Sequence, residues 1–358
     1  MPAVPETPAT AMPAAAPETL LDVRSLHVAV GARGGGALVE VVSDVSLQIA
    51  AGEIVGLVGE SGSGKSMTAM SLLSLLPRQA RTTGSARLAG KELLGLTQRE
   101  MRRLRGEEIS VIYQEPMTAL DPLVPIGEQI AETIRAHRSV SRREAHVRAV
   151  SLLERVGIPD PERRAGEYPH ELSGGMRQRV LIAIALSCDP SMLIADEPTT
   201  ALDVTIQAQI LELIQAMSRE AGMAVLLISH NLGVVAQICR RVMVMYAGEL
   251  VEEGLIDDVL FDPAHPYTSG LLQAMPLVRE GSALPEPIPG RLPSPGATGH
   301  GCRFAPRCAH ALPRCREQAQ PLIEKTGRHG ESRRVRCWRA DELELPGVGA
   351  AAHARTLQ

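Results

Sequence analysis

The sequence predicts an α/β fold followed by a small C-terminal extension that contains cysteines. Two short apolar runs, "SMLIAD" and "AVLLISH", have the composition of strands buried in a parallel sheet. Segments with apolar residues at helical spacing alternate with such runs, which is the order expected in an α/β domain. A proline-rich stretch at residues 284–296, "LPEPIPGRLPSPG", cannot hold a regular element and marks a boundary before the cysteines.

The individual elements follow from local patterns. Residues 20–58 alternate apolar and polar side chains in short runs, which predicts strands with "GARGGG" as the turn between the first two. "KSMTAMSLLSLLP" predicts a helix that stops at Pro77, and residues 95–172 have a charged, helical pattern. "RQRVLIAIALSC" predicts a strongly apolar helix, and "RVMVMYAGELVEEG" predicts a hairpin around Ala247 and Gly248.

Composition narrows the function classes. Hydrophobic residues make up 44% of the chain and aromatic residues only 2%, so the core must be built mainly from aliphatic side chains. A net charge of −4 provides no electrostatic case for binding nucleic acid. The chain also lacks the run of about 18 or more apolar residues that would predict a transmembrane helix.

Both ends of the chain predict disordered tails. Residues 1–18 are rich in Ala, Pro and Thr, and they lack the basic and uninterrupted apolar segments of a signal peptide. Residues 341–358 end in a low-complexity Ala and Gly segment. Without an export signal we expect the protein in the cytoplasm, where its six cysteines would stay reduced rather than form a disulfide scaffold.

A glycine-rich segment at residues 59–66, "GESGSGKS", fits the pattern G-x-x-x-x-G-K-[ST] of phosphate-binding loops. It follows a predicted strand that ends at Val58 and precedes a helix, so backbone N–H groups and the helix N-terminus can surround a phosphate chain. Lys65 can reach the outer phosphates, and the Ser66 hydroxyl suits Mg²⁺. The predicted nucleotide-binding residues here are Gly59, Glu60, Ser61, Gly62, Ser63, Gly64, Lys65, Ser66 and Met67.

Two acidic residues end the apolar segment "MLIADE" at residues 192–197. Taken alone, such a strand end is as often a solvated loop as a functional site. Together with the phosphate loop, it predicts that Asp196 joins the Mg²⁺ shell. It also predicts that Glu197 is the general base that activates water toward the γ-phosphate.

A further glycine pair lies in "LSGGMRQR" at residues 172–179. Ser173, Gly174 and Gly175 come just before a predicted helix, which suits an anion site at a helix N-terminus. The segment lacks a lysine, so it cannot be a second phosphate-binding loop of the kind at residues 59–66. By itself "SGG" is more often a simple N-cap with a flexible turn.

The order of these motifs resembles that of the ATP-binding-cassette (ABC) nucleotide-binding subunits over residues 20–260. Gln114 in "VIYQEP" resembles the Q-loop glutamine, Asp203 in "ALD" the D-loop aspartate, and His230 in "LLISHN" the switch histidine. The resemblance implies an ABC-type P-loop domain at residues 19–260. Such a domain has a RecA-like core with a parallel sheet, an antiparallel β subdomain and a helical subdomain.

The resemblance also implies a mechanism in which two such domains pack head to tail. ATP then lies between the phosphate-binding loop of one domain, residues 59–66, which resembles the Walker A loop, and the "SGG" segment of the other. In that arrangement the implied catalytic residues are Glu197, His230 and Gln114. The implied Mg²⁺ ligands are Ser66, Gln114 and Asp196.

One position departs from the family pattern. An aromatic residue usually stacks on adenine in the early strand region, and Val30 in "LHVAVGA" occupies the corresponding position. Val30 therefore joins the predicted nucleotide-binding residues. We expect adenine to meet a smaller apolar surface there, with weaker selectivity for the base.

Beyond the cassette, "HPYTSGLLQAMP" at residues 265–276 resembles the C-terminal extension of oligopeptide and dipeptide importer ATPases, also found in nickel importers. It implies an extension at residues 261–340 and an ATPase that energises a peptide-class importer from the cytoplasmic face of the membrane. The implied partners are two permease subunits, a second homologous ATPase or a second copy of this chain, and an extracytoplasmic solute-binding protein. A nickel or other small-solute importer remains an alternative, as does a soluble cassette ATPase without a transporter.

The extension carries four cysteines, namely Cys302, Cys308, Cys315 and Cys337. Their spacing matches neither the zinc knuckle nor the ferredoxin pattern, so it leaves reduced thiols, zinc and an iron–sulfur cluster open. Their number favours a metal. So do flanking arginines expected to lower the thiol pKa values, namely Arg303, Arg307, Arg314, Arg316 and Arg336. The resemblance to peptide importers implies a structural [4Fe–4S] cluster. Cys188 and Cys239 are predicted to be buried packing residues.

Overall fold

The computed structural model describes residues 18–31, 37–113, 119–200, 202–275, 287–297, 299–328 and 330–348. Within these residues, no helix is long and apolar enough to cross a membrane. Gln114 lies outside the described residues, as do most of the predicted "GARGGG" turn and most of both predicted tails.

The described residues form strands and helices in alternation after an initial pair of long strands. The strands are β1 Thr19–Gly31, β2 Leu38–Ala50, β3 Ile54–Val58, β4 Arg81–Leu88, β5 Lys91–Glu92, β6 Ile109–Ile112, β7 Met192–Asp196, β8 Ala224–Ser229, β9 Arg241–Tyr246, β10 Glu249–Leu255, β11 Ile323–Thr326 and β12 Ser332–Val335. The α-helices are α1 Lys65–Leu72, α2 Gln98–Leu104, α3 Ile126–His137, α4 Arg142–Arg155, α5 Pro161–Arg164, α6 Gly174–Leu186, α7 Val204–Ala221, α8 Leu232–Ile238, α9 Ile256–Phe261, α10 Pro266–Gln273 and α11 Pro313–Glu317.

The strands form two sheets. The first has the order β2-β1-β4-β5 and is antiparallel. The second has the order β11-β12-β10-β9-β3-β8-β7-β6, in which the neighbours from β9 to β6 run parallel. The predicted α/β class is confirmed, with a parallel central sheet, a separate antiparallel sheet and a group of helices.

Burial explains why the central strands form where they do. Almost every residue of β3, β7 and β8 is buried, as expected for parallel strands covered on both faces. One core cluster lies between the two sheets, and a second joins α3, α4 and α6 to the central sheet. The second cluster forms the helical part of the molecule. Its apolar side chains include Ile130, Ile134, Leu153, Val180 and Ile182.

Two predicted elements differ from the structure. Helix α1 ends at Leu72, not at Pro77, because a Schellman motif closes it. Ser74 adopts a left-handed conformation with a φ of 50°, and the N–H of Leu75 donates to the Met70 carbonyl at 2.9 Å. The charged region at 95–172 is also not wholly helical. It contains strand β6, Ile109–Ile112, which pairs with β7 at the edge of the central sheet.

The C-terminal extension continues the central sheet. The predicted hairpin around Ala247 and Gly248 is confirmed as β9 and β10, and β12 then pairs with β10 through Glu252–Val335 and Glu253–Arg334. Three aromatic rings fasten the extension to the cassette: Phe304 lies 5.1 Å from Tyr246 and 5.4 Å from Tyr267 between ring centroids. In a chain with only two Phe and four Tyr, this cluster concentrates the aromatic packing at one joint.

Candidate nucleotide-binding site

The phosphate loop connects β3 to α1, as predicted. Gly64 has a φ of 107°, a conformation that L side chains rarely adopt, and a Cβ there would stand 2.8 Å from Met245 Cε and 3.0 Å from the Val41 carbonyl. The β9–β10 hairpin supports the loop from outside, because the N–H of Gly248 donates to the Ser63 carbonyl at 2.7 Å. Glycine is therefore required at position 64 by both conformation and space.

Lys65 lies across the phosphate loop. Its Nζ donates to the carbonyls of Gly59 at 2.7 Å and Glu60 at 3.0 Å. Burial lowers the pKa of Lys65, while the carboxylates of Glu197 and Asp196 act in the opposite direction. A cation with two acidic neighbours at the end of a glycine loop is suited to binding the outer phosphates of a nucleotide.

Among the residues that the structure describes, the candidate Mg²⁺ ligands are Asp196 and Ser66. Burial raises the pKa of Asp196, and a hydrogen bond with Ser66 partly opposes that shift. Its Oδ1 is buried and has no hydrogen-bond partner in the structure. A buried carboxylate oxygen without a partner, beside a hydroxyl, fits the oxygen ligands that Mg²⁺ takes. The residues present therefore fit the ion.

The structure brings two of the predicted catalytic side chains together. The Nδ1 of His230 lies 3.1 Å from Oε1 of Glu197, and the Thr200 hydroxyl donates to Oε2 of the same carboxylate at 2.9 Å. Glu197 itself has a left-handed backbone, with a φ of 48°, and its N–H bonds to the Ile228 carbonyl at 2.9 Å.

The "SGG" segment begins helix α6. Ser173 is the N-cap and accepts a hydrogen bond from the N–H of Met176 at 3.3 Å, while Gly174 and Gly175 form the first turn. A Cβ on Gly175 would stand 2.9 Å from Cγ2 of Ile206. Asp203 likewise caps helix α7 by accepting from the N–H of Ile206 at 2.9 Å. The "SGG" segment and Asp203 thus lie next to each other, and Ile206 contacts both.

Val30 and Met67, at the margins of the site, are both partly buried. Val30 pairs with Val39 across β1 and β2, and both Val30 and Met67 pack against the core cluster between the sheets. Val30 remains the predicted neighbour of adenine.

Sequence reasoning missed two residues that contact the phosphate loop. Arg307 forms a two-pronged ion pair with Glu60, and the Tyr267 hydroxyl accepts a hydrogen bond from the N–H of Glu60. Tyr267 belongs to the "HPYTSG" segment, and Arg307 was expected to act on the neighbouring thiols. No local spacing signals a contact between residues 247 positions apart.

The four cysteines of the extension line one cavity. Its walls also include His310, Trp338 and Arg339. Within the described ranges, no group of three or more His, Cys, Asp or Glu side chains is arranged to hold a metal ion. The predicted [4Fe–4S] cluster, and the zinc alternative, therefore receive no support from that arrangement.

The predicted lowering of the thiol pKa values by arginine is wrong for three of the four cysteines. Burial raises the pKa of Cys302 and Cys337 to about 11 and raises that of Cys308 in the same direction. Most of the flanking guanidinium groups are engaged elsewhere. Arg303 pairs with Glu249, and Arg336 donates to the Leu250 carbonyl. Cys188 and Cys239 are buried, as predicted.

Two family models match this chain. The family model described as ABC transporter matches residues 42–200, and the model of the oligopeptide/dipeptide transporter C-terminal region matches residues 251–315. A protein of Brucella melitensis, named as a peptide import ATP-binding protein, is 49% identical over 340 residues, covering 91% of this chain and 98% of the relative. A Sinorhizobium fredii protein, named as a peptide ABC transporter ATP-binding protein, is 48% identical over 330 residues, covering 91% and 96%.

Solved structures with the same fold include the ATP-binding cassette MJ0796 as a dimer bound to ADP and Pi. It is 28% identical, with a TM-score of 0.58, and the match covers 66% of this chain and 98% of that one. The cbiO1 cassette of Clostridium perfringens, part of the cbiONQ transporter complex, shares the fold at 24% identity and a TM-score of 0.57, covering 68% and 90%.

Proposed function

This chain belongs to the ATP-binding proteins of ABC transporters, and on that premise we propose that it is the ATP-hydrolysing subunit of a peptide-class importer. The observation that supports this most is that the extension resembling those of peptide importers contacts the phosphate loop of the cassette directly. The two regions therefore form one functional unit, in which the "HPYTSG" segment belongs to the nucleotide site.

The residues divide the hydrolysis reaction among them. The loop N–H groups and Lys65 bind the β- and γ-phosphates. Ser66 and Asp196, with Gln114 as a further proposed ligand, would hold Mg²⁺, which would supply neutralisation of the phosphate charge. The Glu197 carboxylate takes a proton from water as the water oxygen bonds to the γ-phosphorus. The bond from that phosphorus to the β–γ bridging oxygen breaks, and its electron pair leaves with ADP. His230 orients Glu197 and contacts the γ-phosphate.

A second cassette completes the site. Ser173, Gly174 and Gly175 lie at the N-terminus of helix α6, where a partial positive charge favours an anion. We assign these residues to the nucleotide bound by the partner cassette, with Asp203 beside them at the same interface. ATP then closes the dimer, and hydrolysis weakens it.

The proposed location is the cytoplasmic face of the membrane, against two permease subunits. The second ATPase is either a homologous subunit or another copy of this chain, and a solute-binding protein delivers the peptide on the far side. A nickel or other small-solute importer is the alternative within the class. A soluble cassette ATPase is the alternative outside it.

Purification and reconstitution test the proposal. A tagged chain isolated from mild detergent extracts should carry permease subunits with it, and the complex in vesicles should hydrolyse ATP faster when binding protein and a mixture of short peptides are added. Stimulation by Ni²⁺ and not by peptides would transfer the assignment to a metal importer. Full ATPase activity in a chain that retains no membrane subunit would contradict the importer function altogether.

We further propose that the cysteine cavity holds a [4Fe–4S] cluster. Four thiols share its walls, and cysteine thiolates are the ordinary ligands of a [4Fe–4S] cluster. We assign the cluster a structural role, because ATP hydrolysis has no redox step. Anaerobic purification should give iron and sulfide in proportion to protein, with visible absorption that Cys308→Ser removes and Cys188→Ala preserves. Zinc without sulfide would favour the alternative metal, and protein free of iron, sulfide and zinc would overturn both sites.

A further inference from the structure

A buried arginine of the extension holds the second residue of the phosphate loop. Arg307 donates from Nη1 to Oε2 of Glu60 at 2.8 Å and from Nη2 to Oε1 at 3.0 Å. Its side chain is only 6% exposed. Such a two-pronged pair fixes direction as well as distance, which a single contact between point charges does not.

The remaining donors of Arg307 are also occupied. Its Nε donates to the Pro289 carbonyl at 2.8 Å, and Nη2 reaches the Ile288 carbonyl at 3.3 Å. The guanidinium carbon lies 5.7 Å from the ring centroid of Tyr246, and the Tyr246 hydroxyl accepts from Nη1 at 3.4 Å. The ion pair with Glu60 raises the pKa of Arg307 further, so the group is charged at any working pH. Contacts other than the ion pair with Glu60 thus also fix the position of the guanidinium group.

Tyr267 holds the backbone of the same loop residue. The N–H of Glu60 donates to the Tyr267 hydroxyl at 2.8 Å, and the tyrosine ring is fully buried. Tyr267 lies on helix α10, and its ring packs 4.6 Å from that of Tyr246 between centroids. Side chain and backbone of Glu60 are therefore fixed by two residues outside the loop.

These contacts join the nucleotide site to the cysteine cavity. Cys308 follows Arg307 directly, and Phe304, in the preceding turn, packs against both Tyr246 and Tyr267. The cavity walls include Phe304, Ala305 and Cys308. A change in the packing of the cavity therefore reaches Arg307 without crossing an intervening element.

We propose that Arg307 and Tyr267 are positioning residues, through which the extension holds the phosphate loop in the conformation that binds ATP. The proposal rests on the ATP-hydrolysing function proposed above. Neither residue takes part in the chemical step. Their loss should raise the KM for ATP and the ATP dissociation constant, while the turnover at saturating ATP changes little.

Arg307→Gln in the full chain is the first test, with binding of a fluorescent ATP analogue as the readout. We expect the dissociation constant to rise about 2- to 30-fold, the range typical of residues that act on a site through a neighbour. Tyr267→Phe should act in the same direction, because it leaves the ring in place and removes only the partner of the Glu60 N–H.

Arg334→Gln is the matched control. Arg334 also joins the extension to the cassette, donating to Glu253 at 2.7 Å and to the Ser46 carbonyl at 3.0 Å. Glu253 keeps Arg241 as a partner, so the variant leaves no carboxylate unpaired. It should lower the melting temperature about as much as Arg307→Gln and leave ATP affinity unchanged. Equal losses of ATP affinity in the two variants would show that Arg307 only attaches the extension to the cassette, as Arg334 does. That result would overturn the proposal.

A double-mutant cycle closes the argument. Glu60→Gln should weaken ATP binding, and adding it to Arg307→Gln should cause no further loss, because the two residues act as one pair. Cys308→Ser should weaken binding in the wild-type background and add nothing to Arg307→Gln. Additive losses would contradict the proposed coupling.

Lys65→Ala distinguishes a failure of the proposed nucleotide site from a failure of the positioning role. If Lys65→Ala leaves ATP affinity unchanged, the proposal that this loop binds ATP fails. If Lys65→Ala weakens binding and Arg307→Gln does not, only the positioning role fails.

Discussion

The His230 imidazole lies 3.1 Å from the Glu197 carboxylate, and this contact joins the ends of two neighbouring parallel strands. Glu197 is only 14% exposed, whereas the His230 side chain is 58% exposed. The carboxylate is therefore sheltered, and the histidine covers it from the solvent side. That arrangement suits a base held by a neighbour that can respond to bound nucleotide.

Glu197→Gln should keep ATP binding and slow hydrolysis by about 10²- to 10⁴-fold, the usual contribution of a positioned base. The amide preserves the shape but cannot accept a proton from water. Steady-state ATP hydrolysis by the assembled transporter measures the effect. Glu154→Gln, on the exposed face of helix α4, is the control and should hydrolyse ATP normally. Near wild-type turnover in Glu197→Gln would remove Glu197 from the role of base.

Lys65→Ala should weaken ATP binding by about 10- to 100-fold, since it deletes charge-assisted hydrogen bonds to phosphate. Titration calorimetry with ATP measures the change. Lys91→Ala is a suitable control, because Lys91 lies in an exposed pair with Glu108 away from the loop. An unchanged dissociation constant for Lys65→Ala would contradict the phosphate-binding role.

Ser173→Arg should leave ATP binding by its own chain intact and prevent dimer closure, because the long side chain would occupy the space of the partner's γ-phosphate. Loss of the helix cap alone costs about 0.5–2 kcal/mol of stability. Ser141→Arg controls for that cost, since Ser141 caps helix α4 with the same geometry. ATP-dependent dimerisation, measured by light scattering in a Glu197→Gln background, should fail in Ser173→Arg only.

If the chain forms homodimers, mixing Ser173→Arg with Lys65→Ala subunits should restore one intact composite site. In each mixed dimer, the unchanged phosphate loop of one subunit would face the unchanged "SGG" segment of the other. No recovery of hydrolysis in mixtures that do form dimers would argue against the trans assignment of Ser173. If the chain pairs with a different ATPase, the two variants must be compared in separate heterodimers.

Adenine recognition should be loose, because Val30 offers a small apolar surface where a ring would stack. Aromatic stacking contributes about 0.5–1.5 kcal/mol beyond buried area, so GTP should compete within about tenfold of ATP. Val30→Tyr should increase the preference for ATP, and Val147→Tyr, at an exposed helical position, should not. Strong selectivity for ATP in the wild-type competition assay would defeat this prediction.

Phe304→Ala should destabilise the protein by about 3–5 kcal/mol, the usual cost of removing a buried phenyl ring. The ring is 4% exposed and packs against Tyr246 and Tyr267. The only other phenylalanine, Phe261, is 50% exposed, so Phe261→Ala makes a direct control with a small expected effect. Denaturant unfolding compares the two. Equal stabilities would show that the extension does not depend on this aromatic joint.

Local patterns predicted well the strands and helices that surround the candidate nucleotide site. The strand that ends at Val58, the glycine loop and the helix from Lys65 follow one another within a few residues, and so do β7, Asp196 and Glu197. Glycine conformation, helix termini and the burial of parallel strands act over such short distances. The resemblance implied that Glu197 and His230 are catalytic residues but predicted no contact between them, and the parallel pairing of β7 with β8 accounts for the contact.

Some local predictions failed for identifiable reasons. Apolar spacing extended helix α1 to Pro77, but the left-handed Ser74 ends it earlier. Strand β6 is only four residues long within a charged helical region, so periodicity could not separate it from its neighbours. It forms because β7 offers a parallel edge on which to pair.

The sequence by itself determined the local structure of the candidate nucleotide site, because the residues proposed to bind and hydrolyse ATP lie in short contiguous segments whose backbone conformations depend on their own residues. Only the tertiary structure decided which groups of the cassette the side chains of the extension contact. Three of the arginines expected to lower the thiol pKa values, namely Arg307, Arg303 and Arg336, instead bind Glu60, Glu249 and the Leu250 carbonyl, respectively. A side chain's partner depends on which surfaces pack together across hundreds of residues, and flanking positions carry no record of that packing.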